Sequence, residues 1–249
     1  MEERPAGGPR MTGRFAEALT TADRPVIAEV KRRDAHGRDL FADRSPEEIA
    51  AAYEAAGAPC LSVVTGRWFG GTPELLPRVA AATGLPVLQK DFITTRAQLA
   101  RAVEYGASAV LLTAAVLPGE VLETLVPRCL NLGLTPFVEV TTEEEVRSVP
   151  RPDRCVIAVN NKDIRDRERG PGDLGRSRAL LSALITAGTS CPVSASAIDT
   201  PQAAARLLDA GFAGLLVGTA LLSEGSPEGW LADLDRSRNT EQEERIPPW

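Results

Sequence analysis

Short apolar runs recur along the chain, and each is separated from the next by a longer stretch with helical spacing of its apolar positions. The runs cover residues 25–30, 60–65, 86–89, 109–113, 136–140, 155–159, 192–195 and 214–217. Their starts lie 19 to 37 residues apart, too far for hairpins and far enough for a helix in every gap. Several runs are apolar at nearly every position, the pattern of parallel strands buried on both faces. The gaps carry helix punctuation. Ser45-Pro46-Glu47-Glu48 reads as an N-cap, a proline at the first helical position and acidic residues favoured by the helix dipole. A helix beginning at Thr95 ends at Gly106, Thr141 opens another with Glu143, Glu144 and Glu145 in its first turn, and one opening at Thr200-Pro201 ends at Gly211.

Eight strands alternating with helices predict an α/β protein, a single (β/α)8 TIM barrel over residues 25–235. A short helical extension (1–24) precedes it, and a polar, flexible tail (236–249) follows, with Pro247-Pro248 forbidding helix at its end. A doubly wound sheet shows the same alternation and stays open as the alternative.

Composition narrows the chemistry. The 249 residues suit one such barrel, and 43% hydrophobic content is enough for a sizeable core. The net charge of −6 argues against a nucleic-acid partner. No apolar run approaches the roughly 18 residues of a membrane span, and residues 1–10 contain no apolar signal segment, so a cytoplasmic protein is expected. Cys60, Cys129, Cys155 and Cys191 form no C-x-x-C pair and read as reduced core thiols, which argues against a zinc site built from them. His36 is the only histidine, so several-histidine metal sites are excluded and a histidine-centred triad would have to use it, although its loop position reads as solvent-exposed.

In such barrels chemistry gathers at the C-terminal ends of the strands, and hard-to-bury groups recur there. Glu29 and Lys31 are two apart at the end of the first strand and share a side. The third strand ends Gln89-Lys90-Asp91-Phe92, the fifth Val138-Glu139-Val140, and the sixth Val159-Asn160-Asn161-Lys162-Asp163. Each alone reads as solvated surface or a structural ion pair. Four strands in agreement point to a lysine–glutamate acid–base cluster, because inward charges are costly unless paired or used. Crowding is expected to lower the lysine pKa values and burial to raise those of the glutamates. After the seventh strand comes Ser194-Ala195-Ser196-Ala197, and after the eighth Gly218-Thr219 opens a helix, a pair of loops that often cradles phosphate.

These stretches resemble the indole-3-glycerol phosphate synthase family. The resemblance is carried by Ile27-Ala-Glu-Val-Lys31-Arg32, Leu61-Ser-Val-Val-Thr65 with Phe69-Gly-Gly71, Pro86-Val-Leu-Gln-Lys90-Asp91-Phe92-Ile93, Gly106-Ala107 through Leu111-Leu112, Val138-Glu139-Val140, Val159-Asn160-Asn161-Lys162-Asp163-Ile164 and Val217-Gly218, in family order. It implies ring closure of 1-(2-carboxyphenylamino)-1-deoxyribulose 5-phosphate with loss of CO₂ and water, without cofactor or metal, by a monomer or small homo-oligomer acting on a small molecule. By the resemblance Lys90 is the general acid, Glu139 and Lys31 assist proton transfer, and Glu29 and Asn160 orient the groups. Phe69, Phe92 and Leu111 line the aromatic pocket, Lys162 stands near the carboxylate, and Ser196, Gly218 and Thr219 hold phosphate.

The chain also departs from the family pattern. Asp34 replaces a phosphate-binding serine and brings a negative charge toward the anion, and Ala35 replaces a proline. Ala195 replaces a substrate-contacting glutamate, and Ala197 replaces a glycine, adding a Cβ that opposes positive φ. Lys162 replaces an arginine, losing its bidentate fork. Gly66 stands where an acidic residue is usual. Three readings therefore stay open: the family reaction, the same machinery turned to a related substrate in a specialised pathway, and a non-catalytic binding barrel.

Overall fold

The computed structural model describes residues 13–164, 166, 168–223 and 226–244. The strands are β1 (Val26–Val30), β2 (Cys60–Val64), β3 (Val87–Lys90), β4 (Ala109–Thr113), β5 (Thr135–Val140), β6 (Val156–Asn160), β7 (Cys191–Ala195) and β8 (Gly214–Val217). They pair in parallel in chain order, and β8 closes back onto β1 through Ile27 opposite Leu216. That closure excludes the doubly wound alternative and makes the fold a (β/α)8 barrel.

The helices are α1 (Arg14–Thr21), α2 (Pro46–Ala55), α3 (Leu75–Ala82), α4 (Arg96–Glu104), α5 (Gly119–Asn131), α6 (Glu143–Ser148), α7 (Leu174–Ala187), α8 (Pro201–Ala210), α9 (Thr219–Ser223) and α10 (Pro227–Glu244). Ser45 and Glu48 form a reciprocal capping box on α2, and Thr95 with Gln98 does the same on α4. The α6 cap is Thr142, one residue later than the expected start. Gly106 and Gly211 take the left-handed conformation just past their helices, as expected.

The polar stretch from Arg236, expected to be a flexible tail, instead continues α10 to Glu244. Buried Trp230, Leu231 and Leu234 seat the first half of this helix. Arg24 pairs with Asp235, and Arg238 donates to the Asp23 carbonyl at 2.7 Å, so polar contacts extend the seat. Residues 1–12 of the expected extension and Pro247-Pro248 lie outside the described residues. Among the described residues, no helix is long and apolar enough to cross a membrane.

Alternation along each strand divides the apolar residues into two cores. Outward residues such as Val30, Val63, Leu112 and Val140 pack under the helices with Tyr53, Leu76 and Leu99. Inward residues, including Ile27, Leu88, Leu111, Phe137, Val193 and Leu216, fill the barrel. Phe15 and Leu19 of α1 plug its N-terminal end, with Phe15 edge-to-face on Phe137 at 6.3 Å. Gly214 makes room for that plug, since a Cβ there would lie 2.8 Å from Leu19. All four cysteines are free and buried, and burial pushes the thiols of Cys129, Cys155 and Cys191 up to about 12.

The plug yields a stability test. Phe15→Ala should lower the unfolding free energy by about 3–5 kcal/mol, whereas loss of the α2 cap in Ser45→Ala should cost about 1 kcal/mol. Urea unfolding of both variants checks the ranking.

Candidate active site

The inward stripe of each strand changes character at the C-terminal end of the barrel. Ile27 gives way to Glu29 and then Lys31, Leu88 to Lys90, Phe137 to Glu139, and Ala158 to Asn160, all buried. The two-residue period that fills the barrel with apolar groups therefore also delivers a polar layer above them. Glu29 Oε1 lies 3.0 Å from Lys31 Nζ, and its Oε2 lies 3.3 Å from Lys90 Nζ. Gly218 permits this placement, because a Cβ there would fall 2.6 Å from Glu29 Oε1.

The charges of the layer are strongly coupled. Burial opposes ionisation of Glu29, but the Lys90 and Lys31 ammonium groups outweigh it and hold the carboxyl down to about 2. Burial would likewise lower Lys90, yet Glu29, Glu168 and Glu139 together hold its ammonium above the ordinary lysine range. This reverses the expectation that crowding lowers the lysine. The physical reason is the ratio of charges: three carboxylates surround Lys90. Burial pushes Glu139 up to about 7, opposed by Lys90 and by a hydrogen bond with Asn160 and reinforced by Glu168 and Glu29. Here the expected direction holds, whereas at Glu29 the two neighbouring ammonium groups reverse it.

Two cavities flank the layer. A polar one of about 220 Å³ is lined by Lys31, Asp34, Arg38, Lys162, Ser196, Gly218 and Thr219. An apolar slot is walled by Trp68, Phe69, Phe92 and Leu111, with Lys90 and Glu139 on its inner side. Trp68 meets Phe92 edge-to-face at 4.7 Å, and Lys31 Nζ lies 5.4 Å from the centre of the Phe69 ring. The expected site residues thus surround one mouth, with Lys162 on the polar side. A wider groove near Arg24 and Asp235 lies beside the middle of α10, where those two side chains already pair, and it lacks convergent reactive groups. Among the described residues, no group of three or more His, Cys, Asp or Glu side chains is placed to hold a metal ion.

The altered loops are locally compensated. Asp34 accepts hydrogen bonds from the His36 and Arg38 N–H groups at 2.9 and 3.0 Å and pairs with Arg38 Nε at 3.1 Å. Its charge is therefore met by its own loop before any anion arrives. Ser196 and Ala197 take positive φ of 66° and 59°, so Ala197 does adopt the conformation that its Cβ disfavours. Its methyl sits over Gly172, where an added Cβ would come within 2.0 Å of it. Asn161 holds this turn by donating to Ser194 Oγ and to the Ala195 and Ser196 carbonyls.

Trp68, Arg38 and Glu168, all at the mouth, escaped the sequence reading. Trp68 could have been found beside Phe69, in the same short turn before Gly70-Gly71. Arg38 is four residues from Asp34 but carries no motif. Glu168, in the loop between β6 and α7, had no strand period to announce it.

A family model described as indole-3-glycerol phosphate synthase matches residues 4–234. The chain belongs to this family. An indole-3-glycerol phosphate synthase of Aquifex aeolicus is 33% identical over 221 residues, covering 88% of this chain and 84% of the relative. The indole-3-glycerol phosphate synthase 1 of Streptomyces coelicolor is 37% identical over 210 residues, covering 84% and 76%, and the synthase of Pyrococcus furiosus is 36% identical over 204 residues, covering 82% and 88%. Among solved structures, one titled "Native KDPGal structure" superposes with a TM-score of 0.61 at 14% identity, covering 90% of this chain and 98% of that one, a likeness of fold alone. Family membership runs the length of the barrel, so the polar layer and both cavities fall inside the matched region.

The buried Glu139 gives a pH-dependent stability test. Its carboxyl titrates near 7 when folded against an ordinary 4.5, so the folded state holds an extra proton between those values. Stability from this group is therefore full below about pH 4.5 and lost as pH rises through about 7. Glu139→Gln should exceed the wild type at pH 8 by about 3 kcal/mol, with the gap closing in acid. Denaturant unfolding across that pH range reads the difference.

Proposed function

We propose that this barrel closes the indole ring of 1-(2-carboxyphenylamino)-1-deoxyribulose 5-phosphate, releasing CO₂ and water and leaving indole-3-glycerol phosphate. The observation that carries this reading is the Lys90 ammonium, buried against Glu29 on the inner wall of an aromatic slot that it shares with Glu139. Family membership and the names of the relatives support it.

The substrate has an aromatic carboxylate end and a phosphate end, and the two cavities differ in the corresponding way. The ring enters the slot of Phe69, Phe92 and Leu111, beside Trp68. The phosphate enters the polar cavity at Ser196, Gly218 and Thr219, where Lys162 and Arg38 add positive charge. Lys90 donates to the ketone oxygen as the ring carbon bearing the carboxylate attacks the carbonyl carbon. CO₂ then leaves with its bonding electrons returning to the ring, which restores aromaticity. Dehydration follows: Lys31 protonates the departing hydroxyl, and Glu139 takes a proton from the adjacent carbon. A Lys90 that is charged before the attack suits an acid that gives its proton to the developing alkoxide, and a carboxyl near 7 suits a group that must accept and return a proton. Glu29 holds both ammonium groups, and Asn160 bonds the backbone N–H of Lys162.

The other two readings are not favoured. A binding barrel gives no use to buried charges that are costly to assemble. A shifted substrate is suggested by Asp34 and by Ala195 and Ala197 after the seventh strand, but Arg38 already offsets the Asp34 charge, and the named relatives give no support to a specialised pathway.

Incubating the protein with the carboxyphenylamino-deoxyribulose phosphate should produce the indole product, read by its fluorescence. Lys90→Met should reduce kcat by about 10²–10⁴-fold. The wild-type rate should fall as pH drops below about 7, the range in which Glu139 takes up a proton. Folded wild-type protein without turnover would sink the proposal.

A further inference from the structure

Glu168 is a buried carboxylate that the mechanism above leaves unused. It is 4% exposed, although it stands in the loop between β6 and α7. Its backbone takes a left-handed φ of 57°, unfavourable for any residue with a Cβ, and its N–H donates to the Asp163 carbonyl at 2.9 Å. Among the described residues, Glu168 alone lines both the polar cavity and the aromatic slot.

Its carboxylate accepts from Asn160 Nδ2 at 3.4 Å and stands 3.8 Å from Lys90 Nζ. An ionised carboxylate offers about four acceptor positions, so these two neighbours leave capacity for further donors. A molecule with its ring in the slot and its phosphate in the polar cavity must pass its connecting segment along this carboxylate. Hydroxyl groups on that segment would make short charge-assisted bonds to it. A plain alkyl segment would strip its hydration and return nothing.

We propose that Glu168 is a specificity residue that reads the hydroxylated linker of the substrate, accepting hydrogen bonds from its hydroxyl groups and disfavouring an unsubstituted chain. The proposal rests on the functional reading above and adds to it the group that recognises the middle of the molecule. Because the carboxylate also faces Lys90 and Asn160, it places that linker beside the acid.

Two probes test this by calorimetry. One is 1-(2-carboxyphenylamino)-1-deoxyribitol 5-phosphate, whose reduced carbonyl prevents ring closure. The other is 5-(2-carboxyphenylamino)pentyl phosphate, with the same ends on a bare five-carbon chain. Glu168→Gln, which preserves volume, should weaken the ribitol probe by roughly tenfold or more while the pentyl probe binds as well as before or better. Retained pentyl binding also shows that the variant is folded and both cavities are intact. Equal losses for both probes, or no loss for the ribitol probe, overturn the role of Glu168 alone. Wild-type protein that binds neither probe overturns the functional reading, and this proposal with it.

Discussion

Glu29 is sealed between two ammonium groups at the top of a closed barrel, and much of the surrounding structure accommodates that arrangement. Burying three charges is expensive, and their mutual attraction recovers the cost only with close geometry. The barrel supplies the geometry from elements distant in sequence. β1 brings Glu29 and Lys31, β3 brings Lys90, and Gly218 after β8 leaves the space that the carboxylate needs. From the outer side, the buried Tyr53 hydroxyl of α2 donates to the Glu29 backbone carbonyl at 3.2 Å. A helix on the outside thus helps to hold the strand that carries the central charge.

The same arrangement divides the labour among the ionisable groups. Lys90 is surrounded by carboxylates and keeps its proton, while Glu139 is buried and faces two other carboxylates, so its proton is easily moved. At rest Lys90 is therefore a held positive charge, and Glu139 is the carboxyl whose protonation changes near neutral pH. The site is thereby strained electrostatically at neutral pH, since Glu139 is most comfortable protonated. A well-plugged lower barrel, with Phe15 and Leu19 under Phe137 and Ile27, lies beneath this unfavourable layer. Stability and chemistry are segregated to opposite ends of the strands.

The substituted loops keep the polar cavity usable through local partners. Asp34 brings its own counter-charge four residues along in Arg38, and the methyl of Ala197 is received by Gly172. Ala195 carries no carboxylate, yet one enters the mouth from the neighbouring loop as Glu168. Three of the changes at the cavity walls are thus met by a second residue.

The barrel was legible in the chain because its signals are local. Apolar runs, capping residues such as Ser45 and Thr95, and terminal glycines act within one element; the period of two put Glu29 and Lys31 on one side, and the strand ends marked Lys90, Glu139 and Asn160. What the chain could not reveal by itself depends on sums over distant residues. The direction of the Lys90 shift follows from counting carboxylates on β1, on β5 and in a loop after β6, which meet only when the sheet closes. Glu168 lacks any periodic mark, and the polar end of α10 is seated by contacts to Asp23 and Arg24, more than 200 residues earlier. Local periodicity determined which face each residue takes. Tertiary closure decided which charges became neighbours, because electrostatic energy depends on distance in space and not on separation along the chain.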